Sequence, residues 1–194
     1  MKKQIFLFST ESLRSNGGNL ASLSAFLDQQ KTDDKIELIG IASAHQNGNY
    51  TLAQDKKIKF YDIGYDEERS KYTDIFNNYP NAKFLFWDWH LILPSEILRA
   101  QPIFLFHPGP LEKFKDYSGP QAYTEAWKLA TKTQKAMIAL YDLQHNGKKL
   151  WSKNIKIRPN DRRKALNARM HYHMRSSIPD ILDIIFTEPK DEEV

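Results

Sequence analysis

Cysteine is absent from the 194 residues, and that absence removes several chemistries at once. No disulfide can staple the fold, no thiolate can hold zinc, and no cysteine can act as a nucleophile. A cysteine-free chain fits a cytoplasmic setting. Long apolar runs are missing too. Nothing approaches the ~20 residues that span a bilayer, so no membrane partner is expected. The opening Met1-Lys2-Lys3 begins like a secretion signal, but the apolar run behind it, Ile5-Phe6-Leu7-Phe8, stops at Ser9 and Thr10. That is too short for a signal core and reads as a first strand. There is neither an internal repeat nor a low-complexity linker. A chain of this length, 41% hydrophobic, is expected to fold as one domain over residues 1–186, followed by a flexible acidic tail, 187–194.

Charge is present in excess of one sign. The net charge is +4 and the pI about 9.1, with much of the surplus in Lys148, Lys149, Lys153, Lys156, Arg158, Arg162, Arg163 and Lys164. Basic stretches of this kind serve polyanions, phosphorylated substrates or solubility. Here the lysines are interleaved with Leu150, Trp151, Ile155 and Ile157, which describes the wet face of an edge strand. Nucleic acid is therefore not the expected partner.

The apolar runs alternate with helical periodicity, the pattern of a mostly parallel sheet flanked by helices, an α/β, Rossmann-like class. Strands are expected at Ile5–Phe8, Ile36–Ala42, Ile58–Ile63 (an edge), Phe84–Trp87, Ile103–Phe106 and Lys135–Asp142. Helices are expected at about Gly18–Gln30, Glu67–Tyr79, Pro94–Ala100 and Gln121–Leu129. A helical segment covers about 159–186, with Pro179 interrupting it or starting a second helix.

The most informative stretch follows the run Ile103-Phe104-Leu105-Phe106. His107-Pro108-Gly109-Pro110, then Asp116-Tyr117-Ser118-Gly119-Pro120, delivers an imidazole at a strand end, where Pro and Gly force a loop. Ligands of open α/β sheets bind at the carboxyl ends of strands. Two further segments have a comparable position. Ser15-Asn16-Gly17-Gly18-Asn19-Leu20 joins the first strand to the first helix, and Trp89-His90-Leu91-Ile92-Leu93-Pro94 follows Phe84–Trp87.

Taken in order, these three segments resemble the folate-dependent formyltransferases, the family of glycinamide ribonucleotide, methionyl-tRNA and sugar-amine formyltransferases. The resemblance covers about the first 150 residues. The first segment is similar to the family's glycine-rich turn, the second to its G-x-I-L-P-x-x-x-L segment, and the third to its N-x-H-P-S-L-L-P…G-x-x-P stretch. The His107-Pro108-Gly109-Pro110 variant, with Asp116 before Gly119-Pro120 and Trp127 after, looks closest to the formyltransferase-like domain of the hydrogenase-maturation protein. The second, enoyl-hydratase-like half of that protein is absent here.

The resemblance implies 10-formyltetrahydrofolate as cosubstrate and a small-molecule amine as acceptor, with the pterin against the segment Trp89, His90, Leu91, Ile92 and Leu93. It carries the family's catalytic histidine over to His107. Formyl transfer passes through a tetrahedral oxyanion that needs a hydrogen-bond donor and a group to manage the amine proton. The family supplies an Asn two residues before the histidine, on the same strand face, and an Asp from a later loop. This sequence has Leu105 at the Asn position and His145 where the Asp belongs.

Two compensations are open. Asp142 or Asp116 can orient His107 as a carboxylate orients an imidazole in other acyl-transfer sites. Alternatively, His145 handles the proton while main-chain N–H groups around Gly109 bind the oxyanion. Against a catalytic His145 stands its place in His145-Asn146-Gly147, a hairpin-turn signal. Gly17, Gly18 and Asn19 can hold an anionic group of the substrate at the helix N-terminus, or Asn19 is an ordinary cap. His171 and His173, two apart on a helix, do not share a face, so no metal site is expected. Transfer to an amine is the leading expectation. The alternatives are a non-catalytic folate-binding module and a deformylating or hydrolytic one-carbon enzyme.

Overall fold

A computed structural model describes residues 2–10, 18–30, 35–44, 48–64, 69–87, 89, 102–109 and 120–187. Seven strands are present among them: β1 (Lys3–Phe8), β2 (Ile36–Ser43), β3 (Lys59–Asp62), β4 (Lys83–Trp87), β5 (Ile103–Pro108), β6 (Lys135–Asp142) and β7 (Lys148–Lys156). They form one sheet in the order β3-β2-β1-β4-β5-β6-β7. The strands from β3 to β5 run parallel, while β6 and β7 are antiparallel to their neighbours. The α/β class and the mostly parallel sheet are as expected, and the basic strand β7 is indeed at an edge.

The described helices are α1 (Gly18–Asp28), α2 (Gly48–Asp55), α3 (Arg69–Asn78), α4 (Pro120–Thr133), α5 (Arg163–Ser176) and α6 (Ile178–Phe186). The sequence reading missed α2, whose only strongly apolar residues are Leu52 and Ala53, too few for a helical stripe. Pro179 lies in the first turn of α6, where its missing N–H is harmless, so the tail is two helices. The helix expected at residues 94–100 and the tail at 188–194 lie outside the described residues.

The two faces of the sheet carry different cores. On one face, Ile5, Leu7, Leu85, Trp87, Phe104, Phe106, Ile138 and Leu140 pack with apolar residues of α1, α5 and α6. The other face is largely aromatic: Phe6, Phe8, Phe84 and Phe86 meet Tyr72 and Phe76 of α3. Phe8 stacks on Phe86 with ring centroids 4.2 Å apart, and Phe76 meets Phe84 edge-on at 4.4 Å. Rings in these geometries add stability beyond the area they bury. The pairing of β1 with β2 slips between Ile5 and Phe6, and Gly40 lies opposite Phe6. A Cβ at Gly40 would come within 2.4 Å of the Phe6 ring, so glycine is required there by close approach.

α5 is pinned to the β7 side by Arg169, whose guanidinium ion-pairs with Asp161 and donates to the Lys156 carbonyl. Arg158 N–H also donates to Asp161. The Arg169 hydrogen bond, with help from the Arg158 N–H, holds the Asp161 carboxyl at about 2, below its usual 3.8.

Two outcomes follow from these contacts. Gly40→Val, which drives a branched side chain into a ring with no room to move, is expected to lower stability by about 1–3 kcal/mol, read as a drop in urea midpoint. Asp161 has a depressed folded pKa, so its contribution is present above pH ~4 and disappears as pH falls through about 2. Asp161→Asn should melt below wild type at pH 7, and the gap in Tm should close between pH 4 and 2.

Candidate functional site

The chain runs from β1 outward to β2 and β3, then returns to the other side of β1 as β4 and β5. That reversal between β1 and β4 is a topological switch point, and open α/β sheets bind ligands outside the carboxyl ends of strands at such points. Burying polar groups is costly unless something satisfies them, and here they collect at that edge. Ser9 and Thr10 after β1, Ser43 at the end of β2, Asn49 in α2 and His107 at the end of β5 are all buried. The Asn49 side-chain amide donates to the Ser9 carbonyl at 3.3 Å. Ser9 Oγ is buried with no hydrogen-bond partner among the described residues.

His107 is 6% exposed and sits opposite Ala139 of β6. Leu105, two residues earlier, lies opposite Tyr141, and alternation puts all four side chains on one sheet face. The turn after His107 is fixed from both sides. Gly109 N–H donates to the Met137 carbonyl at 2.7 Å, and the Gly109 carbonyl accepts from the buried Tyr141 hydroxyl at 3.0 Å. Gly109 has φ +91°, a conformation that suits glycine. Its N–H already serves the sheet, and the other N–H groups of the loop expected to bind an oxyanion, at 110–119, lie outside the described residues.

Asp142 and His145, two of the expected partners of His107, lie elsewhere. Asp142 pairs with Phe104, three residues from His107 along β5 and therefore about 10 Å away. The Asp142 carboxylate accepts N–H groups of Gln144 and His145 and meets Nδ1 of His145 at 2.6 Å. His145 is exposed, in a turn where Asn146 and Gly147 take positive φ. Asp142 and His145 thus hold each other at the hairpin, and the structure does not bring them to His107.

Trp89 is buried, with its ring edge-on to Phe8 and Phe86 at 5.4 and 5.6 Å. It belongs to the aromatic core, so its ring cannot stack on a ligand. Gly18 opens α1, with Asn19 next. A Cβ at Gly18 would lie 3.6 Å from Nη1 of Arg175 on α5, so a cation stands beside this helix N-terminus. His90, Leu91, Ile92, Leu93, Gly17 and Asp116 lie outside the described residues. Among the described residues no three His, Asp or Glu groups gather as a metal site, and no helix is long and apolar enough to cross a membrane. Sequence reasoning missed Tyr141, Asn49 and Arg175. Only Tyr141 carried a signal, as a phenol inside an apolar strand that needs a partner for its hydroxyl.

The fold matches that of solved formyltransferase structures. Over 97% of this chain and 98% of the other, it matches a phosphoribosylglycinamide formyltransferase from Brucella melitensis with TM-score 0.73 and 14% identity. The corresponding enzyme from Streptococcus pneumoniae matches over 96% of this chain and all of its own, with TM-score 0.72 and 18% identity. A formyltetrahydrofolate deformylase from Burkholderia mallei matches over 94% of this chain and 64% of its own, with TM-score 0.71 and 13% identity. No protein-family model matches the sequence, and no curated protein does either.

Because Tyr141 locks the His107 turn, Tyr141→Phe should cost about 1–3 kcal/mol by leaving a buried carbonyl short of its donor. Thermal melts check the cost. Histidine ¹⁵N shifts should move for His107 and stay put for His145.

Proposed function

We propose that this protein binds a formyl-bearing tetrahydrofolate at the carboxyl edge of the sheet and transfers the formyl group to an amine, with His107 moving the proton. The observation that carries the reading is a buried imidazole at the end of β5, in a locked turn, on a fold shared with enzymes of this chemistry. The cosubstrate is 10-formyltetrahydrofolate. Its formyl carbon is attacked by the amine nitrogen, the new C–N bond forms, and the bond to the folate nitrogen breaks. One proton leaves the amine and one reaches the folate nitrogen. His107 suits both transfers, because an imidazole accepts a proton at one ring nitrogen and donates one from the other.

The residues present fit the proton work better than the oxyanion. Leu105 cannot donate and the Gly109 N–H is engaged, so in this reading His107 also donates to the oxyanion. An enzyme lacking one such donor is slower by roughly 10²–10³. The α1 N-terminus beside Arg175 favours an anionic group on the acceptor. The setting is cytoplasmic. The kinship with the hydrogenase-maturation domain rests on the His107-Pro108-Gly109-Pro110 motif.

A second reading, a folate-binding protein without catalysis, is favoured by the same Leu105 and by the distance of Asp142 and His145 from His107. The two part on one experiment. Calorimetry with 5-formyltetrahydrofolate should show binding in either case. If transfer is the function, wild type releases tetrahydrofolate from the 10-formyl compound in the presence of acceptor amines, and His107→Ala does not. Leu105→Asn should then accelerate the reaction by up to about 10²–10³. Binding with no turnover in wild type or Leu105→Asn supports the binding protein, release without any amine supports hydrolysis, and no binding removes the folate reading.

A further inference from the structure

A groove of about 340 Å³ opens between α4, the start of β6, β7 and α5, on the far side of β5 from the β1–β4 switch point. Its size falls in the range of small-molecule sites. The floor is apolar: Ala126 and Leu129 of α4, Met137 of β6 and Met170 of α5. The rim is cationic and polar, with Lys135, Lys149 and Asn154. Among the described residues lining it none is acidic. The nearest acid on α4, Glu125, is already engaged by Lys128 at 2.5 Å.

The surroundings reinforce that sign. Residues 148–175 hold ten Lys and Arg against one acid, Asp161, and Asp161 is held by Arg169. On α5, His173 is pushed below its ordinary value chiefly by burial, with Lys153 and Arg169 adding in the same direction. An apolar floor under a cationic rim suits one kind of occupant. Burying its hydrocarbon body is favourable, and its negative group meets ammonium groups at the edge of a low-dielectric wall.

We propose that this groove binds a small organic anion, one with a flat or branched apolar body and a phosphate or carboxylate group. Gly109 lines the groove as well, so an occupant touches the turn that holds His107. The inference does not depend on folate chemistry, and its test uses none.

The probes are 1-naphthyl phosphate, 1-naphthoate and neutral 1-naphthol, titrated into the intact chain by calorimetry. At least one anion is expected to bind one per chain with submillimolar Kd, tenfold or more tighter than 1-naphthol, and to weaken as salt rises. Which anion wins separates a phosphate site from a carboxylate site. Lys135→Glu with Lys149→Glu, both exposed, should weaken the anion at least tenfold without loss of Tm. Ala126→Trp should fill the floor and abolish binding. If that variant fails to fold, the lysine pair still decides. The inference is overturned by no saturable binding of either anion, by equal binding of 1-naphthol, or by anion binding that the lysine pair leaves unchanged.

Discussion

β1 and β4 have no face toward water. Helices cover one side and the aromatic layer covers the other, so residues that point up and residues that point down are equally buried. A strand in that position can carry polarity only where it ends. This constraint arranges the rest of the molecule. It sends Ser9, Thr10, Ser43 and His107 to the carboxyl edge, and it leaves the lysines of β7 for the sheet's outer margin. It also explains the glycine at position 40, since a fully enclosed Phe6 needs a neighbour without a side chain. A ligand site at the carboxyl edge is thus a result of the packing rather than an addition to it.

His107 shows how tightly the edge is built. The imidazole follows an apolar strand, and the chain must turn at once. The turn is stabilised by two hydrogen bonds that use the main chain of Gly109 completely. Rigidity of this kind favours catalysis, because a proton-transfer group works only when held in place. It also has a cost for the chemistry: main-chain donors spent on structure cannot stabilise an oxyanion. With Leu105 at the neighbouring inward position, neither that side chain nor the Gly109 N–H is a donor for the proposed transfer beside His107. That lack keeps both transfer and simple binding in play, and it directs attention to the side chain at 105 more than to any other.

Most of the sheet was legible because buried parallel strands are short apolar runs, and Phe84–Trp87 or Ile103–Phe106 admit little else. The edge strand was legible for the opposite reason, through lysines alternating with Leu150, Trp151 and Ile155. The site was less so. The resemblance put His145 where the family's later loop has its Asp, and Asp142 was offered to orient His107, yet position along a chain does not give strand direction. β6 runs antiparallel to β5, which takes its last residues away from His107 and toward the amino end of β5. The Asn-Gly turn signal, purely local in origin, was the sounder guide to His145. Tyr141 escaped notice because its role depends on register, and Arg175 because α5 meets α1 only through the tertiary fold.

α5 links the features that favour anions. Met170 forms part of the groove floor, and Arg175 stands at the N-terminus of α1. Five residues of helix advance about 7.5 Å along the axis, so one rigid element, clamped through Arg169 to Asp161, serves both places. The surplus of Lys and Arg in residues 148–175 exceeds the net charge of the whole chain, so the remainder is net acidic and the molecule is electrically polarised. A field of that shape draws small anions to the β7 and α5 side and turns them as they approach. For a substrate carrying both a negative group and a reactive amine, the same field would settle the negative end and leave the neutral amine free to face His107.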